Sequence, residues 1–244
     1  MGVSVGLFSL AILHAGYLAQ LCFRQPSSKK ILTPSESRII WYAVSPDNMV
    51  VVRIATVCLC SYHALVSLAI AQTPFDSDQV LHRICPVLEY LDMSLFTWSN
   101  QTVWPLVLLY LGCYARFQAY TQLGSNFTYR LAKPDDLVSD GLYAYVRHPS
   151  YSGLFCVLIA LYTLFLNQHG LVSCWLPAIS PSLGRALVVD TKFRCLLPVI
   201  GFSMVTWLIM VKRVQEEEQM MEQKFGQRWR QYCVKTKKFI PFLL

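Results

Sequence analysis

A run from residue 141 to residue 153, Gly-Leu-Tyr-Ala-Tyr-Val-Arg-His-Pro-Ser-Tyr-Ser-Gly, concentrates side chains that could do chemistry. Hydroxyls, a guanidinium and an imidazole lead through Pro149 into an apolar segment. Such a junction can form a site at a membrane surface, where a charged small molecule meets a lipid-buried one. Pro149 suits the first position of the helix that follows, because its missing N–H is unneeded there. The amides of Ser150, Tyr151 and Ser152 are then expected to be open at the helix N-terminus, where amides and the helix dipole bind anions. A proline-capped span flanked by interfacial aromatics has the same local sequence, and local physics does not separate the two readings.

Arg213 and Glu217 form a second candidate group. Four residues apart where an apolar run ends, they share one face of a continuing helix. An ordinary i, i+4 ion pair, contributing about 0.2–0.5 kcal/mol, is the plain alternative. Ionisable groups at a membrane boundary are candidates for a functional site.

The elements that must position these residues are apolar. The 244-residue chain is 55% hydrophobic and 14% charged, with mean hydropathy +0.41. Soluble domains carry about a quarter charged residues, so the expected class is an all-α, polytopic integral membrane protein. A net charge of +7 would point to nucleic acid only if it lay on a soluble face. The basic residues instead sit between and after apolar runs, so no nucleic-acid partner is expected; the partner surface is the lipid bilayer. Apolar runs at 3–23, 50–71, 102–120, 153–168 and 195–211 approach the roughly 20 residues of a spanning helix. Arg53 lies near one end of its run and can snorkel; Arg116 lies near the C-terminal end of another. Residues 85–98 and 171–189 carry prolines or charges and read as half-helices or interfacial segments. Five or six spans are therefore expected. Three form an N-terminal part, 1–121, and the others a core, 122–244, within one structural domain.

Lys and Arg set the orientation. Segment 24–48 holds Arg24, Lys29, Lys30 and Arg38, segment 122–150 holds Arg130, Lys133 and Arg147, and the tail from Lys212 holds eight basic residues. Segment 72–101 holds only Arg83, so the expected topology is N-terminus out and C-terminus in. Segment 169–194, with Arg185, Lys192 and Arg194 on the outer side, is the exception. No basic residue precedes Arg24, so residues 3–23 read as a retained anchor rather than a cleaved signal, and Gly6 stands where myristoylation needs Ser or Thr. Of two glycosylation sequons, Asn126 falls on the inner side and Asn100 abuts a span.

The tail reads as an amphipathic surface helix. Glu216, Glu217, Glu218, Met220, Met221 and Phe225 precede Gly226, an expected helix stop. Trp229, Tyr232, Phe239, Phe242, Leu243 and Leu244 then alternate with Arg228, Arg230, Lys235, Lys237 and Lys238, a mixture suited to anionic headgroups. Nine cysteines include no Cys-x-x-Cys pair, and most lie in apolar runs, where a free thiol acts as a small hydrophobe. No metal-ligand spacing appears among the five histidines.

Several of these motifs together resemble the isoprenylcysteine carboxyl methyltransferases. They are residues 137–155, the run Arg213-Val-Gln-Glu-Glu-Glu, the pattern Phe225-Gly226-x-x-Trp229-x-x-Tyr232, and Gly124-Ser125-Asn126-Phe127. The resemblance covers roughly Gly124 to the C-terminus. Its Arg-His-Pro-x-Tyr-x-Gly motif is shared with related membrane methyltransferases, whereas the combination with Arg213, the acidic cluster and Phe225-Gly226 is more specific. It implies that Leu137, Val138, Tyr143, His148, Pro149, Ser150 and Tyr151 line an S-adenosylmethionine pocket. It implies that Glu217 also binds that cofactor and that Arg213 stands at the substrate, these two being the catalytic candidates. The implied activity is methylation of the C-terminal prenylcysteine of processed CaaX proteins at the cytosolic face of the endoplasmic reticulum.

The chemistry suits these residue types. A C-terminal carboxylate, with an unperturbed pKa of about 3.3–3.7, is ionised at neutral pH and needs no general base. The enzyme must mainly hold carboxylate and methyl group in line, and an arginine grips a carboxylate through a planar, bidentate fork. The sequence departs from the family in a short connection between Phe127 and Leu137, a long segment 169–194, and residues 1–100 that match no motif. A phospholipid or small-amphiphile methyltransferase is the nearest rival. A sterol-reductase-like NADPH oxidoreductase shares the Gly226-x-x-Trp229-x-x-Tyr232-Cys233 pattern, and a non-catalytic adaptor is the third alternative.

Overall fold

The computed structural model describes residues 2–24, 45–72, 79–127, 134–167, 169–182 and 192–240. Its helices are α1 (Gly2–Cys22), α2 (Pro46–Gln72), α3 (Gln79–Ile84), α4 (Asn100–Leu123), α5 (Pro149–Phe165), α6 (Leu171–Ile179), α7 (Lys192–Phe225) and α8 (Gln227–Lys235). Short 3-10 turns occupy Met93–Phe96, Gly124–Asn126 and Gly141–Ala144. Among the described residues the only β pairing is an isolated parallel bridge between Val146 and Lys237. The fold is all-α, as the composition requires.

Among the described residues three segments are long and apolar enough to cross a membrane: Val3–Cys22, Asp47–Gln72 and Leu197–Phe225. They coincide with the runs at 3–23, 50–71 and 195–211. The runs at 102–120 and 153–168 are also helical, as α4 and α5, but α4 does not stand among the three and α5 is a shorter apolar helix. On α1 the buried residues Phe8, Ile12, Ala15 and Ala19 recur at helical spacing. Its other face, Val3, Leu7, Leu10 and Tyr17, is exposed and still apolar. A helix apolar all round belongs in a core or in lipid.

Contacts group the chain into two units. The first comprises Met1–Gln20, Ile54–Tyr110 and Val157–Ser203. Here α1 and α2 approach so closely that a Cβ on Gly16 would stand 2.5 Å from Cys60 Sγ. His63, fully buried, bonds through Nε2 to Leu95 O at 3.0 Å and stacks on Phe96. Cys85 and Cys174 form a disulfide inside a small core of Leu81 and Leu88. That pair corrects the reading of the cysteines as free thiols, because the fold joins two thiols 89 residues apart that no local spacing connects. Residues 85–98 are mostly irregular around their 3-10 turn. Residues 171–189 begin as α6, which carries Pro177; their last part lies outside the described residues.

The second unit comprises Leu21–Arg53, Leu111–Cys156 and Met204–Leu244. Gly226 has φ +51 and separates α7 from α8, so the predicted helix stop is realised by a residue suited to that conformation. Trp229 and Tyr232 on α8 and Phe239 beyond it are buried. They pack inward, which corrects their assignment to lipid headgroups: a nearby protein surface, invisible in the local sequence, covers them. Lys29, Lys30, Arg38, Arg130, Lys133 and Arg185, used for orientation, lie outside the described residues, as do Phe242, Leu243 and Leu244.

Candidate active site

Every candidate site residue falls in the second unit. The chain enters it through the 3-10 turn at Gly141–Ala144, which starts on Gly141 at φ +57, with the Leu142 amide donating to Gln122 Oε1 at 3.0 Å. Tyr143 and Val146 are buried by this turn. Residues 145–148 then run beside 237–238. The Lys237 amide donates to Tyr145 O at 3.2 Å, the Arg147 amide to Lys237 O at 2.8 Å, and the His148 amide to Lys238 O at 3.0 Å. Ser152 Oγ adds a bond to Phe239 O at 2.7 Å.

Pro149 opens α5, as its missing N–H predicts. The open amide row behind it is not there. Tyr151 and Ser152 donate their amides to His148 O at 3.1 and 3.3 Å. His148 acts as the helix cap through its own carbonyl, which takes up two of the three donors expected to face an anion.

Arg213 and Glu217 project from α7 toward α5. The Tyr151 hydroxyl donates to Glu217 Oε2 at 2.8 Å, and the Arg213 guanidinium reaches the same hydroxyl. His148 Nδ1 lies 3.9 Å from Glu217 Oε1. Arg213 is buried, whereas the Glu217 side chain is 31% exposed and open to a ligand. Burial, reinforced by the Glu217 carboxylate, pushes the Tyr143 hydroxyl well above the ordinary tyrosine range, so Tyr143 is a neutral phenol at physiological pH. The fold therefore brings Tyr143, His148, Tyr151, Arg213 and Glu217 together. Ser150 faces another way, toward Arg116. Leu137 and Val138 are half-buried, and no described contact joins them to His148 or Glu217.

Three residues of this unit were named from the sequence but given no role at the site. Glu218 accepts from Arg147, His148 and Lys238. Arg116, 3% exposed, donates to Cys22 O at 2.8 Å and to Ser150 O and Oγ at 3.1 and 2.9 Å. Tyr232 donates its hydroxyl to Tyr143 O at 2.7 Å, bracing the 3-10 turn from α8. A charged residue inside an apolar run was the available signal for Arg116; Glu218 was one of three adjacent glutamates with nothing local to rank them.

The model of the Isoprenylcysteine carboxyl methyltransferase family matches residues 105–185, about one third of the chain, which includes the His148-Pro149 segment. Over this segment the chain is similar to the isoprenylcysteine carboxyl methyltransferases. A protein-S-isoprenylcysteine O-methyltransferase of Schizosaccharomyces pombe is 32% identical over 152 residues, covering 61% of this chain and 52% of that protein. The protein of the same name from Dictyostelium discoideum is 28% identical over 147 residues, covering 59% of this chain and 50% of the relative. The protein-S-isoprenylcysteine O-methyltransferase B of Arabidopsis thaliana is 23% identical over 190 residues, covering 74% and 82%. The chain thus spans about half the length of the first two relatives. The family match starts at residue 105, earlier than the resemblance placed at Gly124, and ends before Arg213 and Glu217.

Proposed function

We propose that this chain is an S-adenosylmethionine-dependent methyltransferase that esterifies the C-terminal prenylcysteine carboxylate of processed CaaX proteins. The observation that carries the reading is the junction of Tyr151, Arg213 and Glu217 beside His148-Pro149. The names of the relatives support the substrate class.

The residues present fit a donor of mixed charge. Glu217 offers a partly exposed carboxylate, and Glu216 Oε2 is buried with no hydrogen-bond partner. Both are acceptors with spare capacity for a cationic group. When bound, S-adenosylmethionine supplies a methyl group on a sulfonium, activated toward an oxygen nucleophile. Glu217, oriented by the Tyr151 hydroxyl, holds the cationic side of that molecule. Tyr143 remains protonated, so its hydroxyl brings a hydrogen-bond donor and acceptor but no charge. Leu137, Val138 and Pro149 complete the pocket wall in this reading, with Ser150 behind it, turned to Arg116.

Arg213 holds the prenylcysteine carboxylate. Too tight a grip would stabilise the ground state as much as the transition state and leave the rate unchanged. Sharing the guanidinium with the Tyr151 hydroxyl tempers that grip, so Arg213 orients the nucleophile rather than neutralising it. No residue need take a proton, since the nucleophile is already ionised.

In this reading five or six helices cross the endoplasmic reticulum membrane, the segment 1–121 supplying three spans and 122–244 the core. The site faces the cytosol. The disulfide supports the orientation: Cys85 lies in segment 72–101, which charge bias places outside, Cys174 lies in segment 169–194, which the expected topology places there against its own basic residues, and disulfides persist in oxidising compartments.

The test is calorimetric binding of S-adenosylmethionine to the purified protein and to Glu217→Ala. The account expects binding by the first and a loss of at least tenfold in the second, in line with a charge-assisted contact of about 1.5–3 kcal/mol. Unchanged affinity in the variant would remove Glu217 from the pocket. Binding of NADPH instead would favour the reductase reading.

A further inference from the structure

The adjacent carboxylates Glu217 and Glu218 face different partners. Glu217 turns to Tyr151 on α5. Glu218, with its side chain 16% exposed, receives Lys238 Nζ at 2.7 Å on Oε2, and Arg147 NH1 and His148 Nε2 at 3.3 Å each on Oε1. It therefore ties α7 to the segment before α5 and to the strand-like residues after α8.

Those residues after α8 form a strap. Lys237 and Lys238 pair through their backbone with 145–148, and Phe239 O takes the Ser152 hydroxyl. The Phe239 ring lies 4.8 Å from Trp207 and 6.2 Å from His148. Short backbone pairings such as these are weak alone. Arg147 and Lys238, cations from opposite sides of the pairing, converge on one point, and His148 meets them there. Without an anion they repel, and their partial burial makes that repulsion costly.

We infer that Glu218 is a positioning residue: it latches the 237–239 strap across the start of α5 and so fixes His148 and Tyr151 in the geometry that Glu217 and the methyl donor require. The inference rests on the proposed donor site. Glu218 does not touch the reacting groups; its partners are the two segments that carry them. The imidazole of His148 bonds through Nε2 to Glu218 at 3.3 Å, while Nδ1 stands 3.9 Å from Glu217. Losing the first frees the ring and leaves the helix cap dependent on the backbone bond from His148 to Lys238 O.

The test uses the full chain in nanodiscs and compares Glu218→Gln, Lys238→Met and Lys238→Arg with the parent. Timed trypsin digestion reads cleavage after Lys237 and Lys238, and KM is measured separately for S-adenosylmethionine and a farnesylcysteine acceptor. Glu218→Gln should be cut faster at the strap, and Lys238→Met faster at its remaining site after Lys237; both should raise the donor KM about tenfold and, through Tyr151, the acceptor KM as well, with kcat nearly unchanged. Lys238→Arg, which keeps the charge, should restore the donor KM. Parent-like digestion and donor KM in Glu218→Gln would overturn the latch. So would a fall in kcat alone, which would assign Glu218 to the chemistry. A parent protein that binds no S-adenosylmethionine would instead overturn the proposed function, while the digestion results would still decide whether the strap depends on Glu218.

Discussion

Tyr151 on α5 donates its hydroxyl to Glu217 on α7 at 2.8 Å, and the two residues are 66 positions apart in sequence. That bond joins the Arg-His-Pro-x-Tyr segment to the acidic run on the long C-terminal helix. It also places the buried Arg213, one turn before Glu217, against the same hydroxyl. A single phenol thus sets the position of the carboxylate assigned to the methyl donor and of the guanidinium assigned to its acceptor.

Replacing Tyr151 with Phe keeps the ring and removes only the hydroxyl. A hydrogen bond to a charged group contributes about 1.5–3 kcal/mol. Both donor and acceptor KM should therefore rise by roughly tenfold or more. A shift in one KM alone would show that the hydroxyl serves only one side of the site. Steady-state kinetics with each substrate varied in turn makes the comparison.

Gly153 lies where α4 and α5 pack backbone to backbone. A Cβ there would stand 2.7 Å from Gly112 O and 3.0 Å from the Arg116 amide, atoms that cannot swing aside. Small residues at such crossings let membrane helices approach. Gly153→Ala should lower stability by about 1–3 kcal/mol, the cost of overpacking, seen as a lower Tm in detergent. An unchanged Tm would mean that the helices separate freely.

Arg116 has almost no exposed surface and holds Cys22 O and both oxygens of Ser150, with Tyr120 and Phe127 beneath its guanidinium. Arg116→Met preserves bulk but removes the guanidinium's bonds to both Ser150 oxygens, each at a cost of about 1–3 kcal/mol, while Cys22 O keeps the Tyr120 hydroxyl. The expected result is a marked drop in folded yield and Tm, larger than for Arg116→Lys. Equal Tm for Met and the parent would show that the guanidinium adds nothing to stability.

The Cys85–Cys174 bond predicts a mobility shift between reduced and non-reduced protein, lost in Cys85→Ala and in Cys174→Ala. Each variant should be less stable by about 2–4 kcal/mol. A thiol-reactive probe that labels both cysteines in intact, non-reduced protein would contradict the bond and remove its support for the topology.

Much of the architecture was legible because membrane spans are written locally. Residues 3–23 and 50–71 declare themselves by length and apolarity, and Pro149 and Gly226 mark helix ends by their own backbone chemistry. That Tyr151, Arg213 and Glu217 belong together came from the resemblance of their motifs to a family, since local physics alone left Arg213 and Glu217 as an ordinary i, i+4 pair. What failed was whatever depends on a distant partner. Cys174 gave no sign of Cys85, and Trp229, Tyr232 and Phe239 look lipid-seeking until the surface that covers them is known. The amides after Pro149 were counted as open because the residue that caps them, His148, does so with a carbonyl that every residue possesses.

The measurement closest to the central claim is methyl transfer in membranes expressing this chain, with labelled S-adenosylmethionine, N-acetyl-S-farnesylcysteine and the Glu217→Ala variant as control. The account predicts base-labile label on the farnesylcysteine, present with the parent chain and lost with the variant. Label that appears on lipid and never on farnesylcysteine, or that is unchanged in the variant, would contradict it.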